Sequence, residues 1–411
     1  LEEALNQMPQ VQPDFGRTAN SPGDGTSRIN LRGLGADRTL VLLNGRRLAP
    51  SGAGGAVDVN NLPQSLVKRV EIITGGATTV YGSDAIAGVV NFVTVQDFEG
   101  LGLESSYYLT EQGDSQIWDI NAIWGRNFGD GRGNVTAFLT YLDREPSFAS
   151  DRAISSVPFL TDFEGGLFPG GSSAIPEGNV VFPRVDLGNG PQPARFDADG
   201  NLVPFTRPDD LYNFQPLNYL QTPLERTAAG VFATWELNEN IETYGELTFT
   251  RNTASQTLAP VPAFNFVVTN LDNPFLSEQA RGIAASQFEP VGPGLVGFGL
   301  ARRLLELGPR VIERERDYLR AVAGLRGALS DNWDFDAWVS YTDGDETEMQ
   351  RNGASSSRLA QGLLVDPTNG QCLDPSGGCV PVNVFGPNIS PDAADYIRAA
   401  PFNNTTQREQ M

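Results

Sequence analysis

"VEIITGGATTVYGSDAIAGVVNFVT" runs from Val70 to Thr94. Two apolar runs flank a stretch studded with glycine, which invites a phosphate-loop reading. That reading fails on spacing. A phosphate loop needs GxxxxGK[ST], whereas Gly76 and Gly82 are wrongly placed and no lysine follows. "GLGADR" at 33–38 begins like a dinucleotide fingerprint, but Arg38 stands where the third glycine belongs. Neither stretch opens a long helix after a parallel strand. Glycines at 75, 76, 82 and 88 instead permit positive φ and close backbone approach. They suit sharp reversals in a domain confined to a narrow space, with "GVVNFVT" as its last strand.

Residues 1–97 share this mixed character. "LEEALNQM" reads as a short helix, and "RTLVLLNGRRL" as an apolar strand running into Asn44-Gly45, the strongest short hairpin signal. "LPQSLVKRVEIIT" reads as one helical turn leading into a strand. The expectation is a compact α+β domain.

Composition narrows the function. A length of 411 residues usually means two or three domains. A net charge of −21 argues against a nucleic-acid partner, which needs basic stripes. There is no histidine, so Ser-His-Asp and Cys-His catalysis, HExxH zinc sites and histidine-ligated haem within this chain are excluded. No enzyme activity, cofactor or metal site is expected. No run of 18 apolar residues could make a transmembrane helix. The chain opens on Leu1 without a signal peptide and is expected to be a fragment or processed piece. Cys372 and Cys379 are its only cysteines, in "GQCLDPSGGCVPVN". Two thiols cannot build a zinc site. A short disulfide loop in an oxidising compartment is preferred over two free buried thiols. "DADGN" at 197–201 resembles a calcium loop, but its glycine is at position four and Pro208 is at the twelfth. A plain turn is expected.

From about residue 100 the pattern becomes a period of two. In "NWDFDAWVSYT", Trp333, Phe335, Ala337, Val339 and Tyr341 share one face and Asp334, Asp336, Ser340 and Thr342 the other, with Trp338 as an exception. In "IETYGELTFTR", Thr243, Gly245, Leu247 and Phe249 alternate with Glu242, Tyr244, Glu246 and Thr248. In "DYLRAVAGLRG", Leu319, Ala321, Ala323 and Leu325 alternate with Arg320, Val322, Gly324 and Arg326. About seven such strands are legible, near 101–110, 115–128, 133–146, 224–237, 240–253, 312–329 and 332–347. Several exceed the five or six residues usual in soluble sheets and match tilted bilayer-crossing strands. "GDGRG", "NEN" and "SDN" are tight connections; about 147–223, 254–311 and 348–411 are long. Only the short connection near "EQGD" departs from the alternation expected of an outer-membrane barrel. Trp118, Trp124, Phe128, Tyr141, Trp235, Trp333 and Tyr341 fit interfacial girdles. Asp334 and Asp336 then line a solvated wall rather than an acid/base pair. A soluble one-faced β-protein would explain neither the strand lengths nor the loop asymmetry.

"INLRGLGADRTLVLLNGRRL" and "VNNLPQSLVKRVEIITGGATTVYGSDAIAGVVNFVT" together resemble the plug domain of TonB-dependent outer-membrane receptors. The family pattern is matched at Arg32, Gly33, Gly35, Val41, Asn44, Gly45, Pro63, Arg69, Glu71, Gly75, Tyr81, Gly82, Ala85, Gly88 and Asn91. The resemblance implies a plug over 1–97 and, over 98–411, part of an antiparallel barrel with long extracellular loops: about seven of roughly 22 strands. It implies that Arg32 and Arg69 pair with barrel glutamates, most of them expected beyond Met411. It also implies a location in the outer membrane of a Gram-negative bacterium, with a signal peptide and a TonB-contacting box before Leu1. The implied work is energy-coupled import of a scarce nutrient such as a siderophore, cobalamin or carbohydrate; the alternative is a signal-transducing receptor. Haem is disfavoured, because the chain lacks the histidine that haem receptors commonly use.

Overall fold

The computed structural model describes residues 2–411 except Ala53, Pro63 and Gly76. Leu1 and the roles expected of Pro63 and Gly76 therefore lie outside the described residues.

The N-terminal unit opens with the helix Glu2–Asn6 and centres on a four-stranded sheet. Its strands lie in the order Arg46–Arg47, Thr39–Leu43, Gly88–Thr94, Val67–Thr74. Thr39–Leu43 runs parallel to Gly88–Thr94, with Val41 opposite Val90. Asn44 and Gly45 have φ of 52° and 79°, the two positive values that a two-residue hairpin matching strand twist requires. Leu31, Val41, Leu43, Leu62, Val90 and Phe92 share one buried core. The helical turn Thr78–Tyr81 ends at Gly82, where φ is 82°. At Gly88 φ is 135°, and an added Cβ would lie 2.3 Å from the Ile73 carbonyl oxygen.

Residues 100–410 supply an eight-stranded antiparallel wall whose spatial order follows the chain: 100–108, 117–128, 133–144, 224–238, 241–258, 310–330, 333–351 and 402–410. Seven of these fall where the alternation predicts strands. The eighth, Phe402–Gln410, was not anticipated, because "FNNTTQREQ" carries almost no apolar residue on either face. Register fixes the faces. Glu246 stands opposite Val322, and Leu247 opposite Ala321. Leu247, Phe249, Leu325 and Val339 are exposed on the outward side, while Glu246, Thr248 and Arg320 are buried on the inward side. Phe335 and Ala323 also face outward, and Asp334, Asp336 and Arg326 inward; Arg326 pairs there with Glu242 at 2.5 Å.

The long connections are not independent loops. They knit into a cap with its own six-stranded sheet and three helices, Glu278–Gln287, Ser356–Gly362 and Pro391–Ile397. The strand Leu295–Arg303 pairs with both Pro262–Asn270 and Asn179–Asp186. Phe196, Phe298, Leu300, Val382 and Phe385 are fully buried in its core. The sequence hid this strand because "LVGFGLARR" alternates core residues with glycine, so its free face carries no side-chain pattern. Cys372 and Cys379 are joined in a disulfide in the cap. At 197–201, Asp197 accepts from the backbone N–H of Asp199 and Asn201, a plain side-chain-closed turn. Among the described residues no cluster of acidic, cysteine or histidine side chains is placed to hold a metal.

The two glycines give a graded test. Nothing lies within 4 Å of a Cβ at Gly45, so Gly45→Ala meets only the backbone cost of positive φ, about 1–2 kcal/mol. Gly88→Ala adds a clash with backbone and should cost at least about 3 kcal/mol. Hydrogen exchange across 67–94 in the full-length protein should therefore accelerate far more for Gly88→Ala. Equal effects would contradict the geometry at Gly88.

Candidate functional site

One wall carboxylate gathers the contact between the N-terminal unit and the wall. The alternation of strand 241–258 turns Glu246 inward, where it is buried. Its Oε1 accepts from Asn44 Nδ2 at 3.2 Å, Arg46 Nη1 at 3.3 Å and Gln96 Nε2 at 3.2 Å. Its Oε2 accepts from the wall's own Arg320 at 2.7 Å. Arg46 continues the network, placing Nη2 3.2 Å from Asp336 Oδ2 and donating to the Tyr244 hydroxyl. That hydroxyl donates to Asp336 Oδ1 at 2.5 Å. The guanidinium lies 4.4 Å from the Tyr244 ring centre and 5.8 Å from that of Trp338. Trp338, the odd residue on its strand's polar face, is thus one wall of an arginine seat. Two arginines and two carboxylates balance inside it.

The remaining contacts are also polar. Asn20 Nδ2 donates to the Thr257 carbonyl at 2.8 Å, and Gln256 donates to the carbonyls of Asn20 and Gly23. Asn252 donates to Asn61 Oδ1 at 2.9 Å, Arg316 to the Asp24 carbonyl at 2.9 Å, and Arg408 to the Ser51 carbonyl at 2.8 Å. One small apolar cluster, Leu66 with Phe138, Ala228 and Phe232, interrupts this pattern.

The residues singled out in sequence do different work. Arg32 (φ 56°) donates to the Ala87 carbonyl at 3.0 Å, and Arg69 bonds Glu71 at 2.8 Å. Among the described residues both are engaged inside the N-terminal unit. Arg69 points along its own exposed strand, and the long side chain that reaches the wall is Arg46. Glu71 accepts from Asn91 Nδ2 at 2.9 Å, and Asn91 Oδ1 accepts from the Gly45 N–H at 2.8 Å. Gly33 and Gly35 take φ of 68° and 111°, and the Gly35 N–H donates to Asn30. Gly75 takes φ 120°, and the Tyr81 carbonyl beside Gly82 accepts from Arg47. Among the described residues of this set only Asn44 hydrogen-bonds to the wall. Arg46 and Gln96 were missed, although an arginine directly after the Asn-Gly turn was visible.

Asp58 is a second buried acid. It accepts from the N–H groups of Ser27 at 2.9 Å and Asn60 at 3.0 Å, and its other oxygen has no hydrogen-bond partner among the described residues. Burial pushes its pKa up to about 6; the charge of Arg316 and the two N–H groups oppose that rise.

Between the N-terminal unit, the 145–223 connection and the cap lies a cavity of about 660 Å³. Asn20, Ser21, Asn218, Ser172, Arg303 and Arg310 are among its lining residues, and among the described residues none that lines it is acidic. Arg303 donates to the Pro260 carbonyl and Ser172 Oγ, both at 2.7 Å, and lies 5.0 Å from the Tyr212 ring centre. Arg310 donates through Nε to the Ala259 carbonyl at 3.0 Å.

Two tests follow from the buried acids. Glu246→Ala leaves Arg46 and Arg320 without their shared counter-charge, a loss worth about 3–5 kcal/mol when a buried pair is broken. Amide exchange through 39–47 should quicken while the wall strands stay protected; unchanged exchange would mean the hairpin is held otherwise. Because the folded pKa of Asp58 lies above its ordinary value, its favourable contribution is complete below about pH 4 and is lost as pH rises through about 6. Asp58→Asn should therefore stabilise the N-terminal unit at pH near 7.5 by on the order of 2–3 kcal/mol, and not at pH near 4. A gain independent of pH would show that charge at Asp58 is not the cause.

Residues 1–89 match the TonB-dependent receptor plug domain family. Solved structures similar to the chain include the ferric enterobactin receptor PfeA of Pseudomonas aeruginosa, at 13% identity and a TM-score of 0.41 over 85% of this chain and 47% of that one. The siderophore receptor PirA of Acinetobacter baumannii matches at 11% and 0.40, over 85% of this chain and 42% of that one. The ferric-catecholate import receptor Fiu of E. coli K12 matches at 13% and 0.39, over 100% and 53%. The chain spans about half the length of these structures.

Proposed function

We propose that this chain, a TonB-dependent receptor plug with part of its β-barrel, imports a scarce nutrient across the outer membrane of a Gram-negative bacterium. In this reading the plug takes residues 1–97 and the barrel residues 98–411. The outward apolar face meets hydrocarbon, and the cap lies on the cell exterior. Arg32, Gly33, Gly35, Asn44, Gly45, Arg69, Glu71, Gly75, Tyr81, Gly82, Gly88 and Asn91 hold the plug's own shape. A TonB-type energy-transducing protein is the partner that displaces it.

The observation that carries the reading is the polar seat between plug and wall. A polar contact exchanged for water changes free energy by only about 0.5–1.5 kcal/mol. An apolar seat of ordinary size would lose about 25 cal/mol for every Å² exposed. A body seated by hydrogen bonds and one compact ion cluster can be pulled aside and return, as a gate must. A permanently fixed domain has no need of such a seat. The chemistry is displacement and passage; no bond in the nutrient is made or broken.

The test is genetic. Strains with and without the gene, each with and without TonB, are grown under iron, cobalamin or glycan limitation. One medium should reveal a growth defect on deletion that does not add to the loss of TonB. A defect that persists in full without regard to TonB, or none in any medium, overturns the reading.

A further inference from the structure

Plug and wall meet differently on the two flanks of the wall. Of the four buried apolar clusters among the described residues, only one draws on both bodies: Leu66 of the plug with Phe138, Ala228 and Phe232 of the wall. All of its members are buried. Phe138 stands opposite Gly230 in register, and a Cβ at Gly230 would lie 2.5 Å from Phe138 Cε1. The Phe138 ring therefore lies across the glycine, with the Phe232 ring centre 6.0 Å away. Together the two rings make an apolar seat for Leu66 on the inward face.

The junction between the two bodies is stitched to the same place. The Leu66 carbonyl accepts from the Val95 N–H at 2.8 Å, which ties Leu66 to the segment leaving the plug. The Phe98 N–H donates to Thr136 Oγ1 at 3.2 Å, Asn134 Nδ2 donates to the Phe98 carbonyl at 2.9 Å, and Asn127 Nδ2 donates to Glu99 at 3.0 Å. Thr136 is the register partner of Phe232. The covalent link and the apolar seat thus coincide on strands 117–128, 133–144 and 224–238. Beyond Glu246, strands 241–258, 310–330 and 402–410 hold the plug by hydrogen bonds, at Asn20, Asn61, Asp24 and Ser51. The last of these strands lies four spacings from 224–238, about 19 Å along the wall at about 4.8 Å per strand. Polar contacts trade with water at small net cost, whereas apolar area resists exposure in proportion to its extent. A pull on the plug therefore opens the far flank before the junction.

We infer that the plug opens as a door. It turns as one body about Leu66 and the Phe98 junction, and it parts from the wall along 241–258, 310–330 and 402–410. The inference rests on the importer reading and names the flank that opens. One core joins Leu5, Leu31, Val41, Val90 and Phe92, from both ends of the plug, so the plug moves without coming apart. Leu66 is then a positioning residue, and Phe138 and Phe232 are its bearing. Asn252, Gln256 and Arg316, with Glu346 3.3 Å from Arg316, line the gap that opens. What passes there meets hydrated, charged side chains and not the phenylalanine pair.

The test is cysteine labelling of the full-length receptor in growing cells by a water-soluble maleimide, with and without TonB. Cys372 and Cys379 are joined to each other and do not react. Asn20, Asn61, Ala228 and Val90 are all buried while the plug is seated. TonB should speed labelling of Asn20→Cys and Asn61→Cys at least about tenfold and leave Ala228→Cys and Val90→Cys protected. Adding Leu66→Ala should expose the seat and bring Ala228→Cys up to the rate of Asn61→Cys. Equal TonB-dependent labelling of Ala228→Cys and Asn61→Cys with Leu66 in place means that the plug leaves whole. TonB-dependent labelling of Val90→Cys means that it comes apart, and none at any position means that the far flank stays shut. Any of these three, or an unaltered Ala228→Cys rate with Leu66→Ala, overturns the inference. A receptor that supports TonB-linked growth yet labels Ala228→Cys as fast as Asn61→Cys keeps the importer reading and loses this one.

Discussion

A single buried carboxylate decides how the two halves of this molecule meet. Strand alternation leaves Glu246 no choice of side, and the interior it enters cannot hold an isolated charge. Its compensation comes from both bodies: Arg320 from the wall, and Asn44, Arg46 and Gln96 from the N-terminal unit. The left-handed pair at Asn44 and Gly45 is what brings Asn44 and Arg46 to the same oxygen. Buried ion pairs add little stability over an apolar equivalent, but they penalise misplacement heavily. The cluster therefore fixes position more than it supplies holding force.

Everything around it follows a division between dry and wet surfaces. The N-terminal unit has an apolar core of its own, and so does the cap. The surface between plug and wall is lined with amides, hydroxyls and guanidinium groups. Each body can thus keep its shape while its mutual contacts are exchanged. Asp58 sharpens this, since a carboxyl kept from water sits beside Arg316 of the wall.

The wall was legible because lipid-sized strands with one apolar face repeat a simple pattern, and Leu247, Leu319 and Val339 sit where a period of two puts them. The hairpin at Asn44-Gly45 was legible because its chemistry is local. Phe402–Gln410 was not, since a strand polar on both faces carries no period. The cap escaped for another reason. Its core residues, such as Phe196, Phe298 and Phe385, come from three separate connections, and each connection alone looks like a loop. The plug–wall cluster was half legible: alternation turned Glu246, Arg320 and Asp336 inward, but only tertiary structure chooses Arg46 over Arg32 or Arg69 as their partner.

The cap's shared core also imposes an order of events on the chain. Four of the seven wall pairings close tight loops at small entropic cost, whereas the three across 145–223, 259–309 and 352–401 close long ones. The cap core waits for Val180, Leu300 and Val382 to arrive together, contacts of large sequence separation that form slowly. Tight hairpins have the cheaper closures, and the pairings across the three long connections share their closure cost with the cap core those connections build. Its strands, 179–186 and 295–303 among them, present unpaired edges until then. The interval between the tight hairpins and the cap is when this chain is most exposed to mispairing with another copy of itself.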